Sequence, residues 1–168
     1  MKKHNVKKMM RNVEKKRKRV GMHVFMGSAE EMAQRGKQLL RMKMRHQTVV
    51  FFDIDDTLIH SRSYQPIQPI VDLLRTAHAN RLHIVIITAR PDHASNRLFT
   101  QKELAALGIP YHLLYLCPVS RRSGYDEFKR ECRRNALHQL NAHPLFSIGD
   151  RDWDFGEHGG IGLWIQDE

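Results

Sequence analysis

Two textures divide the chain. From Thr48 onward, short runs of continuous apolar residues alternate with segments whose apolar positions recur every three to four residues. The runs at 48–52, 82–88, 112–116, 145–148 and 161–165 predict strands, and their lack of polar alternation predicts burial on both faces. Helical spacing predicts helices over 69–81, through Ile70, Leu73, Leu74 and Ala77, over 94–107, where Gly108 and Pro110 stop it, and over 125–140. Strands alternating with helices make a mostly parallel sheet covered on both sides, with right-handed crossovers. The expected fold class is therefore α/β, a three-layer doubly wound, Rossmann-like domain over residues 47–168. Upstream, Ser28 with Glu31 forms a capping-box pattern that opens a helix running to about Arg45, with Met32, Leu39, Leu40 and Met42 as its apolar side. No internal repeat is visible.

Composition narrows the class. A length of 168 residues suits one domain with a real core, and 41% apolar with 27% charged residues excludes a fully disordered or collagen-like chain. No apolar run approaches the roughly 20 residues of a membrane helix. The net charge of +10 is unevenly placed: residues 1–46 hold 15 basic and 3 acidic side chains, whereas the remainder is slightly acidic. Residues 1–46 thus read as a basic N-terminal arm. The run Lys15-Lys16-Arg17-Lys18-Arg19 lies in a stretch expected to be mobile or weakly helical. Such an arm suits nucleic-acid backbone, serves equally as a nuclear-import address, or simply aids solubility. Cys117 and Cys132 form no C-x-x-C pair, and no apolar stretch of secretory type follows the basic start. The expectation is an intracellular protein, cytoplasmic or nuclear, not secreted, with no membrane association; oligomeric state is not readable.

Candidate chemistry gathers where three predicted strands end, which is where ligands bind in such sheets. The first strand runs into Asp53-Ile54-Asp55-Asp56-Thr57, two carboxylates on one tight turn, which suits a nucleophile and a proton donor side by side or, read blandly, an acidic surface turn. Thr88, followed by Ala89-Arg90, offers a hydroxyl and a bidentate donor to a phosphoryl oxygen, or merely caps a turn. Lys129, early in the third helix, can neutralise charge beside a nucleophilic carboxylate or remain a solvated helix lysine; Lys102 is its rival. Gly149-Asp150-Arg151-Asp152-Trp153-Asp154 supplies hard oxygens suited to Mg²⁺ at Asp150 and Asp154, with Asp152 toward solvent or substituting for either neighbour. Trp153 and Trp164 are expected in the core.

In this order, D53-x-D55-x-T57, Thr88, Lys129 and G149-D150-x-x-x-D154 resemble the four motifs of the haloacid dehalogenase superfamily of phosphohydrolases, across residues 48–166. The resemblance implies a phosphomonoesterase. Asp53 attacks phosphorus and forms an aspartyl-phosphate; Asp55 protonates the leaving oxygen and then activates water. It also implies that Thr88 and Lys129 hold the phosphoryl group and the nucleophile, that Thr57 and Arg90 assist substrate binding, and that Mg²⁺ sits on Asp53, the Asp55 carbonyl and Asp150, with Asp154 either on the ion or directly behind its ligands.

Members of that superfamily usually carry a cap domain. Here the interval from Thr88 to Lys129, 41 residues, is already filled by a helix, a strand and a loop, so no sizeable cap is expected. An open site suits a macromolecular or nucleotide phosphate, and the Thr88-Ala89-Arg90-Pro91 turn is similar to the acid-phosphatase-like and polynucleotide-phosphatase-like branches. The expected partners are a phosphorylated substrate and nucleic acid through residues 1–45. The competing reading is a noncatalytic nucleic-acid-binding protein on the same fold.

Overall fold

The computed structural model describes residues 7–12, 14–15, 23–42, 47–121 and 123–166. Most of the basic run, residues 16–19, and the expected helix end at Arg45 lie outside the described residues. In chain order the elements are β1 (Val24–Gly27), α1 (Ala29–Leu40), β2 (Thr48–Phe52), α2 (Gln68–Ala79), β3 (His83–Asp92), α3 (Ala94–Ala106), β4 (Leu113–Pro118), α4 (Tyr125–Leu140), β5 (His143–Gly149), a single 3₁₀ turn (Asp152–Asp154) and β6 (Ile161–Ile165).

The six strands form one sheet in the order β1-β6-β5-β2-β3-β4, with every pair parallel. Period-two geometry sends alternate residues of each buried strand to opposite faces. Val50, Phe52, Ile84, Ile86, Phe146 and Ile148 meet α1, α2 and α3 on one side through Met32, Leu39, Leu73, Leu74 and Leu104. Val49, Phe51, Val85 and Ile87 meet α4 on the other through Phe128, Cys132 and Ala136. Farther along that second face, Phe155 and Trp164 pack with Met9 and Val24. The result is the three-layer α/β arrangement. Burial of each large aliphatic side chain contributes roughly 1.5–3 kcal/mol.

The capping box is formed: the Ser28 hydroxyl accepts from the Glu31 amide at 3.1 Å, and the Glu31 carboxylate accepts from the Ser28 amide at 3.3 Å. Gly36 lets α1 lie close on α2, since a Cβ there would come within 2.6 Å of Leu73. Strand β1 is absent from the sequence reading. With four residues on the sheet edge, Met26 exposed and only β6 as neighbour, it offers too few apolar positions to show a period. Residues 24–40 thus join the same sheet and core as residues 47–166.

Chain order turns back at β2. From β2 the chain adds β3 and β4 on one side, then crosses to β5 and β6 on the other. The crevice between the carboxyl ends of β2 and β5 is therefore the topological switch point, the position at which such sheets bind ligands.

Candidate active site

Asp53 emerges directly from β2, its amide donating to the Ile148 carbonyl of β5 at 3.1 Å, so the last ladder bond between the two strands aims it into the crevice. The chain then folds sharply: the Ile54 carbonyl accepts from the amides of Thr57, Leu58 and Ile59, and Asp56 takes a left-handed conformation, φ 58°. Asp56 is spent on this turn, accepting from the Ser61 amide and hydroxyl at 2.9 and 2.8 Å. Thr57 is fully buried and its hydroxyl donates to Asp53 at 3.4 Å.

Across the crevice, Lys129 reaches up from α4 with a side chain only 2% exposed. Its ammonium donates to Asp53 Oδ1 at 2.9 Å and also to Asp154 Oδ1. Asp154 is held from behind, its Oδ2 accepting from the Arg151 amide at 3.0 Å. Gly149 makes this approach feasible, because a Cβ there would lie 2.1 Å from Asp154 Oδ2. Asp53, Asp150 and Asp154 each present a carboxylate oxygen within 4.8 Å of the others.

Three carboxylates so close in a buried crevice repel one another. Burial, then the charges of Asp53 and Asp154, push the Asp150 carboxyl up to about 9. Burial and Asp154 raise Asp53 to about 6, against the pull of Lys129. For Lys129, burial works against the charge, but Asp154 and Asp53 outweigh it and hold the ammonium above its ordinary range. The cluster thus has more negative charge than Lys129 neutralises, and it takes up protons unless another cation is supplied. Hard, closely spaced oxygens of this kind fit a small divalent cation such as Mg²⁺.

The remaining candidates sit on the other side of the crevice. Thr88 is buried in β3, and its hydroxyl accepts from the Arg90 amide at 3.2 Å. The stretch from Thr88 to Arg90 falls where β3 loses register with β4, between Ile87 and Pro91, which frees the backbone to turn toward the site. Asp55 does not join the carboxylate cluster with its side chain. Arg90 grips it instead, Nε and Nη2 donating at 3.0 and 2.8 Å, while Nη1 donates to Thr100 and Nη2 also to Glu103, at 3.1 and 2.9 Å. Arg90, expected to contact substrate, therefore has all three nitrogens engaged within the protein. Burial opposes its charge, but the bonds and charges of Asp55 and Glu103 hold it above its ordinary range. Thr57, the other expected substrate contact, is enclosed and faces Asp53. Lys102 stays exposed on α3, away from the cluster.

Several contributors escape a sequence reading. Arg133 lies one helical turn beyond Lys129, 1% exposed, with Nε donating to the Glu157 carbonyl at 2.9 Å and Nη1 to the Asp154 carbonyl at 3.4 Å. Burial lowers its guanidinium to about 10, partly offset by Asp154. The spacing of four from Lys129 is the one signal that placed it on the same helix face. Asp152, expected toward solvent, is half-buried and accepts from Asn12 at 3.2 Å. Trp153, expected in the core, is half-buried against Tyr125, ring centroids 5.2 Å apart.

No protein-family model matches the sequence, and no curated protein does. Among solved structures the fold is similar to a chain in the structure of the Pnkp1/Rnl/Hen1 complex, with a TM-score of 0.62 and 17% identity over 74% of this chain and 49% of that one. It is similar also to a chain in the structure of the Pnkp1/Rnl/Hen1 RNA repair complex, with a TM-score of 0.60 and 16% identity over 75% of this chain and 46% of that one. The chain spans about half the length of these neighbours. At such identities the likeness is one of fold.

Proposed function

We propose that the protein is a divalent-metal-dependent phosphomonoesterase of the haloacid dehalogenase type, polynucleotide-phosphatase-like, acting on phosphorylated nucleic-acid ends through an aspartyl-phosphate. The observation that carries this reading is the placement of Asp53 at the switch point, held by Lys129 and Thr57 and flanked by Asp150 and Asp154. Carboxylates of this spacing without a metal role would leave the crevice charged for no structural gain.

An Asp53 oxygen attacks phosphorus, the bond to the leaving oxygen breaks, and Asp55 gives its proton to that oxygen. Water then attacks the aspartyl-phosphate, Asp55 takes the proton back, and inorganic phosphate departs with Asp53 restored. Lys129 keeps Asp53 oriented and screens its charge from the incoming phosphate. The Thr88 hydroxyl, buried at the β3 side of the crevice, would donate to the phosphoryl group. Arg90, supported by Thr100 and Glu103, orients Asp55. Mg²⁺ held by Asp53, Asp150, Asp154 and the Asp55 carbonyl would supply positive charge against the phosphoryl oxygens.

Asp55 is 41% exposed whereas Asp53 is 10% exposed, so the proton donor faces outward and a bulky alcohol has room to leave. The basic composition of residues 1–45 supports a nucleic-acid substrate: Lys7, Lys8, Arg11 and Lys15 are exposed, and the Asn12–Asp152 bond sets residues 7–12 beside the Asp150–Asp154 turn. The fold likeness to a chain of an RNA repair complex points the same way. No helix among the described residues is long and apolar enough to cross a membrane.

Phosphate release from p-nitrophenyl phosphate and from 3′-phosphorylated oligonucleotides tests the reading, with Mg²⁺, with EDTA and with Asp53→Asn. Turnover that falls by at least about 10³-fold in both controls supports it. Turnover indifferent to Asp53→Asn removes the nucleophile, and nucleic-acid binding with no turnover of any phosphomonoester favours the noncatalytic reading.

A further inference from the structure

Next to Glu103, which Arg90 links to Asp55, the surface opens into a cavity of about 600 Å³ lined by Tyr64, Phe99, Lys102, Glu103, Ala106 and Leu107. Its volume lies within the range of small-molecule sites. Phe99, Lys102, Glu103 and Ala106 follow one another at helical spacing and make one face of α3 into its wall. Two large aromatic residues stand open to solvent here, Tyr64 at 62% and Phe99 at 53% exposure. Tyr64 is held in the left-handed region, φ 59°, inside a loop tied by its own amide to the His60 carbonyl and by the His60 amide to the Gln65 carbonyl, both at 2.9 Å. A bulky residue adopts that conformation only where its surroundings impose it. The loop thus fixes an aromatic ring outward instead of folding it into the core.

The cavity adjoins the catalytic mouth. Glu103, part of its wall, accepts from Arg90, and the same guanidinium grips Asp55. On the phosphatase reading, on which this inference rests, the leaving oxygen sits at Asp55. The body of the departing alcohol therefore extends toward Arg90, Glu103 and the cavity. Glu103 spends its charge on Arg90, so Lys102 gives the exposed side of the cavity a positive character.

We propose that this cavity seats the terminal nucleoside of a phosphorylated single-stranded polynucleotide, with Tyr64 and Phe99 as stacking faces for its base and Lys102 contacting the next backbone phosphate. Stacking on such faces is tolerant of base identity, so the end is recognised with little sequence preference.

The experiment compares kcat/KM for a 3′-phosphorylated oligonucleotide, in ribo and deoxyribo forms, with that for glycerol phosphate, which has no ring. The ratio of the two should fall about tenfold in Tyr64→Ala or Phe99→Ala, and by a similar factor in wild type when the terminal nucleotide is abasic. Gln101→Ala, exposed on α3 outside the cavity, should keep the wild-type ratio. A ratio that neither aromatic variant nor the abasic end moves, while Asp53→Asn still stops both reactions, overturns the cavity and leaves the phosphatase reading standing. Aromatic variants that impair only a phosphotyrosyl peptide assign the cavity to a protein and overturn the proposal. Wild type that hydrolyses no substrate overturns the phosphatase reading and this inference with it.

Discussion

The two ends of the same parallel sheet are built on opposite electrostatic terms. At the carboxyl end, Asp53, Asp150, Asp154 and Lys129 crowd into one crevice, with three acids facing one ammonium. At the amino end, His83 starts β3 and His112 precedes β4, with their rings 5.2 Å apart, and His78 from α2 lies 5.6 Å from His112. Here His112 Nδ1 accepts from the Ile84 amide at 2.9 Å, which requires that nitrogen unprotonated, and His83 Nε2 donates to Gln47 Oε1 at 2.7 Å. The strands between the ends are the same apolar residues. The difference teaches that the shared apolar strands carry stability while the carboxyl end concentrates repelling carboxylates, an arrangement that favours a site over stability.

Removing Lys129 should have the largest effect. Lys129→Met leaves Asp53 and Asp154 buried without their ammonium, and breaking such a pair typically costs about 3–5 kcal/mol. Urea unfolding should show that loss together with the loss of turnover, and the penalty should shrink when Asp53→Asn is already present. A loss below about 1 kcal/mol in the wild-type background would mean that the crevice relaxes and that its two ends differ less than the geometry implies. Cys132, three residues farther along α4, marks the contrast: burial pushes its thiol up to about 12, so it packs as a small apolar group.

The sheet was legible because buried parallel strands leave continuous apolar runs, and the segments 48–52, 125–140 and 161–165 coincide with observed elements. Asp53 and Asp150 were legible as residues just past apolar runs, and the structure places both beyond strand ends, whereas Thr88 lies inside β3, which continues to Asp92. Partner choice was not. Nothing local says that Arg90 will bond Thr100 and Glu103 on the following helix instead of facing a phosphate, since that depends on how α3 docks against β3. Lys129 was legible as a candidate beside a carboxylate, but Arg133 looks like a solvated helix cation until the fold places the Asp154 and Glu157 carbonyls against it. β1 escaped because an edge strand of four residues carries almost no pattern.

Arg90 offers a second, smaller test of the carboxyl end. Arg90→Lys keeps the charge but loses the planar fork that holds both Asp55 oxygens while bonding Thr100 and Glu103. Catalysis that depends on an oriented proton donor should drop about 10- to 100-fold in kcat with KM nearly unchanged. A change confined to KM would instead return Arg90 to the phosphate-contact role expected from its motif.

The smallest effect belongs to the amino end, and its sign sets it apart. Burial first, then the neighbouring His83 and His78, lowers the His112 pKa below its ordinary 6.5. The unfolded chain therefore takes up this proton at a higher pH than the folded one, and stability falls as pH drops through about 6.5 toward the lowered value. The carboxyl end runs the other way. With Asp53 and Asp150 raised to about 6 and about 9, the folded state binds protons that the unfolded state releases, so its contribution to stability grows as pH falls. Wild type alone sums the two trends. The difference in thermal stability between wild type and His112→Gln, followed from pH 7.5 to 5.5, cancels the carboxylates and should expose the amino-end slope, with wild type losing ground as the solution is acidified. The ring is largely exposed, so the slope should be shallow. A difference that stays flat across that window would show that the histidine cluster shares its proton with solvent, leaving the carboxyl end as the sheet's one strongly titrating end.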